Sequence, residues 1–184
     1  DVLNIVTFHD FDKKREVTQF SDSVVVSFRY DNQNQLLYLL DELYSRIISL
    51  FEMKIILRGA ISCGKLIHTK EHIFGPAFIK AYEMETKCAI YPRIIIDDES
   101  FKISTKTTNF YKDGRSEKDA LLNCLSKDED DLLYLDYFKC SHHMLTNEEE
   151  VYNYAKHLNE IIQENINLKD STIKIKYGWM KNKF

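Results

Sequence analysis

The chain has 184 residues, 44% of them hydrophobic and 29% charged, with a formal net charge of −4. That length supports one domain with a sizeable core, spanning residues 1–184, rather than two. The acidic balance argues against the broad basic surface that bulk DNA or RNA binding needs, so no nucleic-acid partner is expected.

Two further features of the whole chain bear on class. Cys63, Cys88, Cys124 and Cys140 are well spread, with no Cys-x-x-Cys spacing and no visible secretory pattern, which predicts reduced thiols in a cytoplasmic protein. No apolar run approaches the roughly 20 residues of a membrane span, so no membrane partner is expected either.

Taken in chain order, Val2 to Phe8 reads as the end of a helix, followed by a polar turn at Asp10 to Lys14. Glu16 to Phe28 fits a strand, a tight turn at Ser21-Asp22-Ser23, and a second strand. Leu36, Leu39, Leu40, Leu43, Ile47, Leu50 and Phe51 recur at helical spacing, with Asp41, Glu42 and Arg46 opposite, which predicts an amphipathic helix over 35–51 covering one face of a sheet.

Lys54 to Leu66 is β-rich and interrupted by Gly59 and Gly64, and His68 to His72 reads as a polar turn. Pro76 suits the first turn of a helix running to Lys87, because proline lacks an N–H that would be unpaired there anyway. Ile94-Ile95-Ile96 then reads as a buried strand. Strands alternating with helices in this order predict a layered α/β or α+β fold with helices on one face.

Beyond Asp97 the pattern weakens. Ser104 to Arg115 is polar and turn-rich, Asp128 to Asp131 reads as a solvated acidic loop, and Leu132 to Phe138 suggests a further strand. Glu148 to Ile166 is a strongly patterned helix, with Asn147 as its cap and three glutamates at the positive end of its dipole. Ser171 to Phe184 reads as a short terminal helix or arm. No repeat or low-complexity linker interrupts the chain.

Phe20-Ser21-Asp22-Ser23-Val24-Val25-Val26-Ser27-Phe28 is the most informative stretch. Valine and phenylalanine at this density want a buried hairpin, and an ionised side chain placed among them needs a partner or a metal. Three more blocks follow in order: Leu57-Arg58-Gly59-Ala60-Ile61-Ser62-Cys63-Gly64, Phe74-Gly75-Pro76-Ala77-Phe78-Ile79-Lys80-Ala81-Tyr82-Glu83-Met84-Glu85, and Ala89-Ile90-Tyr91-Pro92-Arg93-Ile94.

Together the four blocks, spread over about residues 15 to 97, resemble the class III nucleotidyl cyclase domain, most closely the pyrimidine cyclases of bacterial Pycsar anti-phage defence. The resemblance implies an α+β, ferredoxin-like βαββαβ core over about 15–140, with C-terminal helices over about 147–184 as an extension. It also implies a head-to-tail homodimer with active sites at the interface, nucleoside triphosphate as substrate, and a two-metal site holding Mn²⁺ or Mg²⁺.

By the same resemblance Asp22 is a metal-binding catalytic aspartate, and backbone amides at Ser21 and Ser23 face phosphate oxygens. A second metal aspartate, in a pattern like Phe-x-Asp-x-x-Gly-Phe, is expected on a first strand upstream of Asp1. The asparagine and arginine that orient ribose and stabilise phosphate charge in purine cyclases fall at Ile79 and Glu83. Either another cation then serves, with Arg58, Lys65, Lys80 and Arg93 as candidates, or the enzyme is impaired. The two base-reading positions fall at Thr18 and His72, and neither purine-reading pair is present, which implies uracil or cytosine.

The expected reaction converts UTP or CTP to the 3′,5′-cyclic monophosphate and pyrophosphate, producing a second messenger for antiviral defence. A second reading is a cyclase-like nucleotide-binding module without turnover. A diguanylate cyclase is weaker because no Gly-Gly-Asp/Glu-Glu-Phe turn occurs. Plainer readings stand beside each residue: Asp22 as a turn former, His72 as a loop residue, Arg58 as an edge side chain that snorkels, and Tyr91-Pro92-Arg93 as a strand entry. Cys140-x-His142-His143 offers three metal ligands without a fourth, which is more often incidental.

Overall fold

The computed structural model describes residues 15–29, 35–106, 116–139, 145 and 147–184. The expected helix end over Val2–Phe8, the turn over Asp10–Lys14, Asp1, and the Cys140-x-His142-His143 group lie outside them.

The elements are β1 (Glu16–Phe20), β2 (Ser23–Ser27), α1 (Gln35–Glu52), β3 (Gly59–Ile61), β4 (Ile67–His68), β5 (Ile73–Phe74), α2 (Pro76–Lys87) and β6 (Ile94–Ile96). There follow α3 (Asp98–Ser104), α4 (Glu117–Cys124), β7 (Leu125–Lys127), β8 (Leu133–Leu135), α5 (Glu148–Asn165) and α6 (Ser171–Lys183). The fold is mixed α+β, with a small mixed sheet.

A four-stranded sheet in the order β3-β6-β8-β7 forms its centre. β3 runs parallel to β6, with Ala60 opposite Ile95, and α2 lies in the connection that parallel pairing demands. β8 then pairs antiparallel to β6, with Tyr134 opposite Ile95, and β7 pairs antiparallel to β8. Three consecutive isoleucines suit β6 because a central strand covered on both faces has no solvent side to mark with polar residues, and all three are buried.

The hairpin β1–β2 and the short hairpin β4–β5 each make a sheet of their own. A ferredoxin-like arrangement would place β1 and β2 in the central sheet, whereas here their backbone pairing is only with each other. The two strands are also less covered than their composition suggests, with Val17 and Phe20 exposed and Val24 to Val26 half-buried.

One hydrophobic cluster joins the sheet to the helices. Leu36, Leu40, Tyr44, Ile47 and Phe51 of α1 meet Tyr154, Leu158, Ile161 and Ile162 of α5 in the same core as Ile94–Ile96. The spacing of these residues on each helix is the cause of the packing, and each buried aliphatic side chain contributes about 1.5–3 kcal/mol. Tyr154 stacks on Phe51 with ring centres 6.0 Å apart, and its hydroxyl donates to the carbonyl of Tyr137 at 3.0 Å. α5 and α6 are therefore built into the core rather than appended to it.

Helix ends follow their caps. The side chain of Asn147 accepts from the amide of Glu150 at 2.9 Å, as the sequence predicts, and Asp170 accepts from the amides of Thr172 and Ile173 at the start of α6. α3 and α4 fall where the pattern weakens, and they too carry caps, at Asp97 and Ser116.

The expectation for Asp128–Asp131 is corrected by the structure. Asp128 is buried, and its carboxylate accepts from Arg93, from Trp179 Nε1 at 2.8 Å and from Lys183 Nζ at 2.7 Å. Arg93 is fully buried; its second guanidinium nitrogen donates to Asp130, and its ring-facing side lies 5.2 Å from the centre of Tyr91. Tyr91 in turn stacks on Trp179 at 5.4 Å, with the planes only 5° apart. Burial pushes the Asp128 carboxyl up, but Lys183, the Glu129 amide, Trp179 and Arg93 more than offset it and hold it below the usual carboxylate range. This corner is a neutralised ion network that pins α6 to the entry of β6.

Candidate functional site

The tip of the β1–β2 hairpin is built by register. Phe20 pairs with Ser23, so Ser21 and Asp22 are the two turn residues. Ser21 has φ 56, a left-handed conformation that costs a residue with a Cβ about 1–3 kcal/mol, and the side chain of Gln19 donates to its carbonyl at 3.3 Å. Asp22 follows, exposed, and no hydrogen bond or ion pair holds its carboxylate among the described residues. Ser23 is exposed beside it. The turn thus presents one acid outward on a two-residue connection.

The hairpin is tied to the body at its base. Arg15 makes a two-pronged ion pair with Glu42 of α1, at 2.8 and 3.1 Å. Thr18 of β1 and Ser27 of β2 both bond the ring of His68 on β4: Thr18 Oγ1 lies 2.7 Å from Nε2, and Ser27 Oγ lies 2.8 Å from Nδ1. Burial holds this imidazole below the ordinary histidine range, against the opposing pull of Glu16. Thr18, expected to read a base together with His72, is bonded to His68. His72 sits in the tight turn Thr69–His72, where its amide donates to Thr69 Oγ1 at 3.1 Å and its exposed ring lies 4.0 Å from Glu71.

The candidate cations separate clearly. Arg58 donates through Nε to Glu85 at 2.7 Å, and Lys80 reaches Asp97 at 3.2 Å and Glu99 at 3.5 Å. Arg93, expected to serve catalysis by meeting phosphate, faces inward instead: its charge is met by Asp128 and Asp130 and it is 0% exposed. That placement fits the strand-entry reading. Lys65, exposed on the loop between β3 and β4, forms no ion pair among the described residues. On α2, Ile79 is exposed and Glu83 pairs with Lys87 at 2.8 Å, so this helix face offers no cation of its own beyond that pair and Lys80.

Gly75 joins β5 to α2 at φ 143, and a Cβ there would lie 2.6 Å from the carbonyl oxygen of Lys65. Only glycine lets the two chains approach so closely. That contact brings the Lys65 loop against the start of α2, where the amide of Ala77 donates to the same carbonyl at 3.3 Å. Burial pushes the thiol of Cys63, just past β3, up, with Asp97 and Glu99 adding to the effect and Ser100 and Lys80 opposing it.

Among the described residues no group of three or more histidine, cysteine or acidic side chains is placed to hold a metal ion. Asp22 alone offers one oxygen-donor side chain, which suits a hard cation that takes its remaining ligands from phosphates and water. No described helix is long and apolar enough to cross a membrane. Comparison with family models, with curated proteins and with solved structures returned no match.

Proposed function

We propose that the chain is a pyrimidine nucleotide cyclase, converting UTP or CTP to the 3′,5′-cyclic monophosphate and pyrophosphate. The observation that carries the reading is the exposed, unpaired Asp22 on the two-residue turn of the β1–β2 hairpin, with Ser21 in the left-handed conformation beside it. A left-handed first residue is what a two-residue hairpin turn requires, and the turn sets the direction in which a lone acid points.

In this proposal Asp22 is one ligand of a bound Mn²⁺ or Mg²⁺, and the amides at Ser21 and Ser23 face the triphosphate. The metal, when bound, offsets charge on the phosphates and favours ionisation of the ribose 3′-hydroxyl. Thr18 faces the base. Lys65 is the cation for the phosphates, since Arg58, Lys80 and Arg93 are each engaged with carboxylates. The exposed apolar side chains Ile67, Phe74, Ile79 and Tyr82 supply the contact for a homodimer with sites at its interface. A role for the cyclic product as a messenger in phage defence, in the cytoplasm, rests on the resemblance of the four sequence blocks.

A module that binds nucleotide without turnover is favoured by one observation, the replacement of a cationic helix face by exposed Ile79 and the Glu83–Lys87 pair. Incubation with each of the four nucleoside triphosphates and Mn²⁺, followed by chromatographic detection of cyclic product, separates the two. The expected result is cyclic UMP or cyclic CMP, and its complete loss in Asp22→Ala with the melting temperature unchanged. Tight nucleotide binding with no product from any triphosphate selects the silent module; full turnover by Asp22→Ala removes the metal role.

A further inference from the structure

A sheet edge left unpaired is a template for another strand, and proteins protect such edges by keeping them short or by placing charge or proline on them. The outer strands of the central sheet follow this rule: β3 and β7 have 3 residues each, and β7 ends in Lys127. β4 and β5 have 2 residues each, and β1 begins with Glu16. β2 lacks every such safeguard. It runs for 5 residues, Ser23-Val24-Val25-Val26-Ser27, without charge or proline, and its ladder with β1 is unbroken by any bulge.

Phe20 and Ser23 flank the two-residue turn and so form a hydrogen-bonded pair, and the two kinds of pair alternate along an antiparallel ladder. Val25 and Ser27 accordingly turn amide and carbonyl toward β1, whereas Val24 and Val26 turn theirs to the open side. Among the described residues no backbone hydrogen bond meets them there. Side chains alternate as well: Thr18 and Ser27 share the face that holds His68, so Val24 and Val26 lie with Val17 on the other face, where Val17 is exposed and the other two are half-buried.

We propose that the free edge of β2 is an interaction surface for a second copy of this chain, whose own β2 pairs with it antiparallel about a two-fold axis at Val25. The strand itself selects that occupant, because Ser-Val-Val-Val-Ser reads the same in both directions. The axis then sets Ser23 against the partner's Ser27 and Val24 against the partner's Val26, so each outward amide of one copy meets an outward carbonyl of the other. Val25 faces its own copy in the closer, unbonded kind of pair.

Charge complementarity favours the same arrangement. Asp22 stands just before β2 and Arg29 two residues past its end, both exposed. Antiparallel pairing brings the acid of one copy to the arginine end of the other at both ends of the seam, whereas parallel pairing would set like charges together. The seam is isologous and closes on itself, and it leaves Asp22 at its rim.

The test measures the mass of the full chain by sedimentation equilibrium over a range of protein concentrations. The wild type is expected to self-associate. Val24→Pro removes an outward amide that the β1–β2 ladder does not use, so it should weaken association by about tenfold or more, the scale of lost hydrogen bonds, with the circular dichroism unchanged. Val25→Cys should form an intermolecular disulfide on mild oxidation that oxidised wild type lacks, because residues facing in an unbonded pair lie about 4.5 Å apart at Cα. Ser23→Cys, which the axis carries away from its own copy, should not. The disulfide decides the matter if Val24→Pro fails to fold. A monomeric wild type, association by Val24→Pro as tight as by the wild type, or equal cross-linking at positions 23 and 25 overturns the proposal. Association that survives Val24→Pro but is lost in Phe74→Glu assigns the contact to the α2 face instead. None of these readouts involves turnover, so the seam stands or falls separately from the cyclase reading.

Discussion

Two ends of the molecule treat their acids in opposite ways. At the corner where β6 begins, Asp128 and Asp130 are met by Arg93, Lys183 and Trp179, and the cluster is closed over by stacked aromatic rings. At the hairpin tip, Asp22 stands exposed with no partner among the described residues. A buried charge is tolerable only when paired and hydrogen-bonded, so the first arrangement is what stability requires. The second contributes nothing to stability that the structure reveals, and an acid kept at an exposed turn without a structural partner is the better candidate for chemistry.

The comparison breaks most decisively at Arg93. Arg93→Ala leaves two carboxylates facing each other beneath Trp179, and removing one partner of a buried pair costs about 3–5 kcal/mol. Urea unfolding followed by tryptophan fluorescence measures it, since the chain has one tryptophan and it lies in this corner. Asp22→Ala, at an exposed turn, is expected to change stability by less than about 0.5 kcal/mol. Similar costs for the two variants would erase the distinction between a structural and a functional acid.

A smaller effect belongs to Trp179. Trp179→Phe keeps a ring to stack on Tyr91 but removes the indole N–H that Asp128 accepts at 2.8 Å. The buried oxygen still has Arg93 as a partner, so the expected loss is about 1–2 kcal/mol, measured as a drop in urea midpoint by far-ultraviolet circular dichroism. A neutral result would mean that ring stacking alone holds α6.

This contrast also explains how much was legible in the sequence. The hairpin, α1, α2, β6 and α5 are announced by apolar spacing, by proline in a first turn or by a capping residue, because each is a local pattern several residues long, whereas Ser171 to Phe184 reads equally as a helix or an arm. α3 and α4 span 7 and 8 residues, too few for a helical period to stand out, and their caps at Asp97 and Ser116 were the only local signal. Asp128 is a different failure. Four acids in a row look solvated, and the partners that bury one of them arrive from Arg93, 35 positions away, and Trp179, 51 positions away.

The candidate site was legible in the same uneven manner. Asp22 stands out because an acid interrupts an apolar run. His68 does not, because nothing local marks which face of a two-residue strand will meet a hairpin some forty positions earlier, and only the separations of 50 residues to Thr18 and 41 to Ser27 in the folded chain reveal it.

The finest test of the comparison is pH, since the two ends respond in different windows. Asp128 and Asp130 have proton affinities depressed in the fold; for Asp128 burial opposes this and the cations and amides prevail, and for Asp130 the bond from Arg93 is the largest cause. Their contribution to stability is therefore complete above the unfolded carboxylate value, about 3.9, and is lost as pH falls through their lower folded values. His68 is also depressed, by burial, so the unfolded chain takes up its proton first as pH falls below about 6.5. The stability that the neutral ring contributes is present above that value and fades below it. Amide protection of β1 and β2, corrected for the intrinsic pH dependence of exchange, should thus fall modestly below about pH 6.5, while protection in β6 and α6 changes only near pH 4 and below. His68→Ala should abolish the first step and leave the second. A hairpin step that persists without His68, or a β6 step that shares its window, would show that the two ends unfold as one unit rather than being separately anchored.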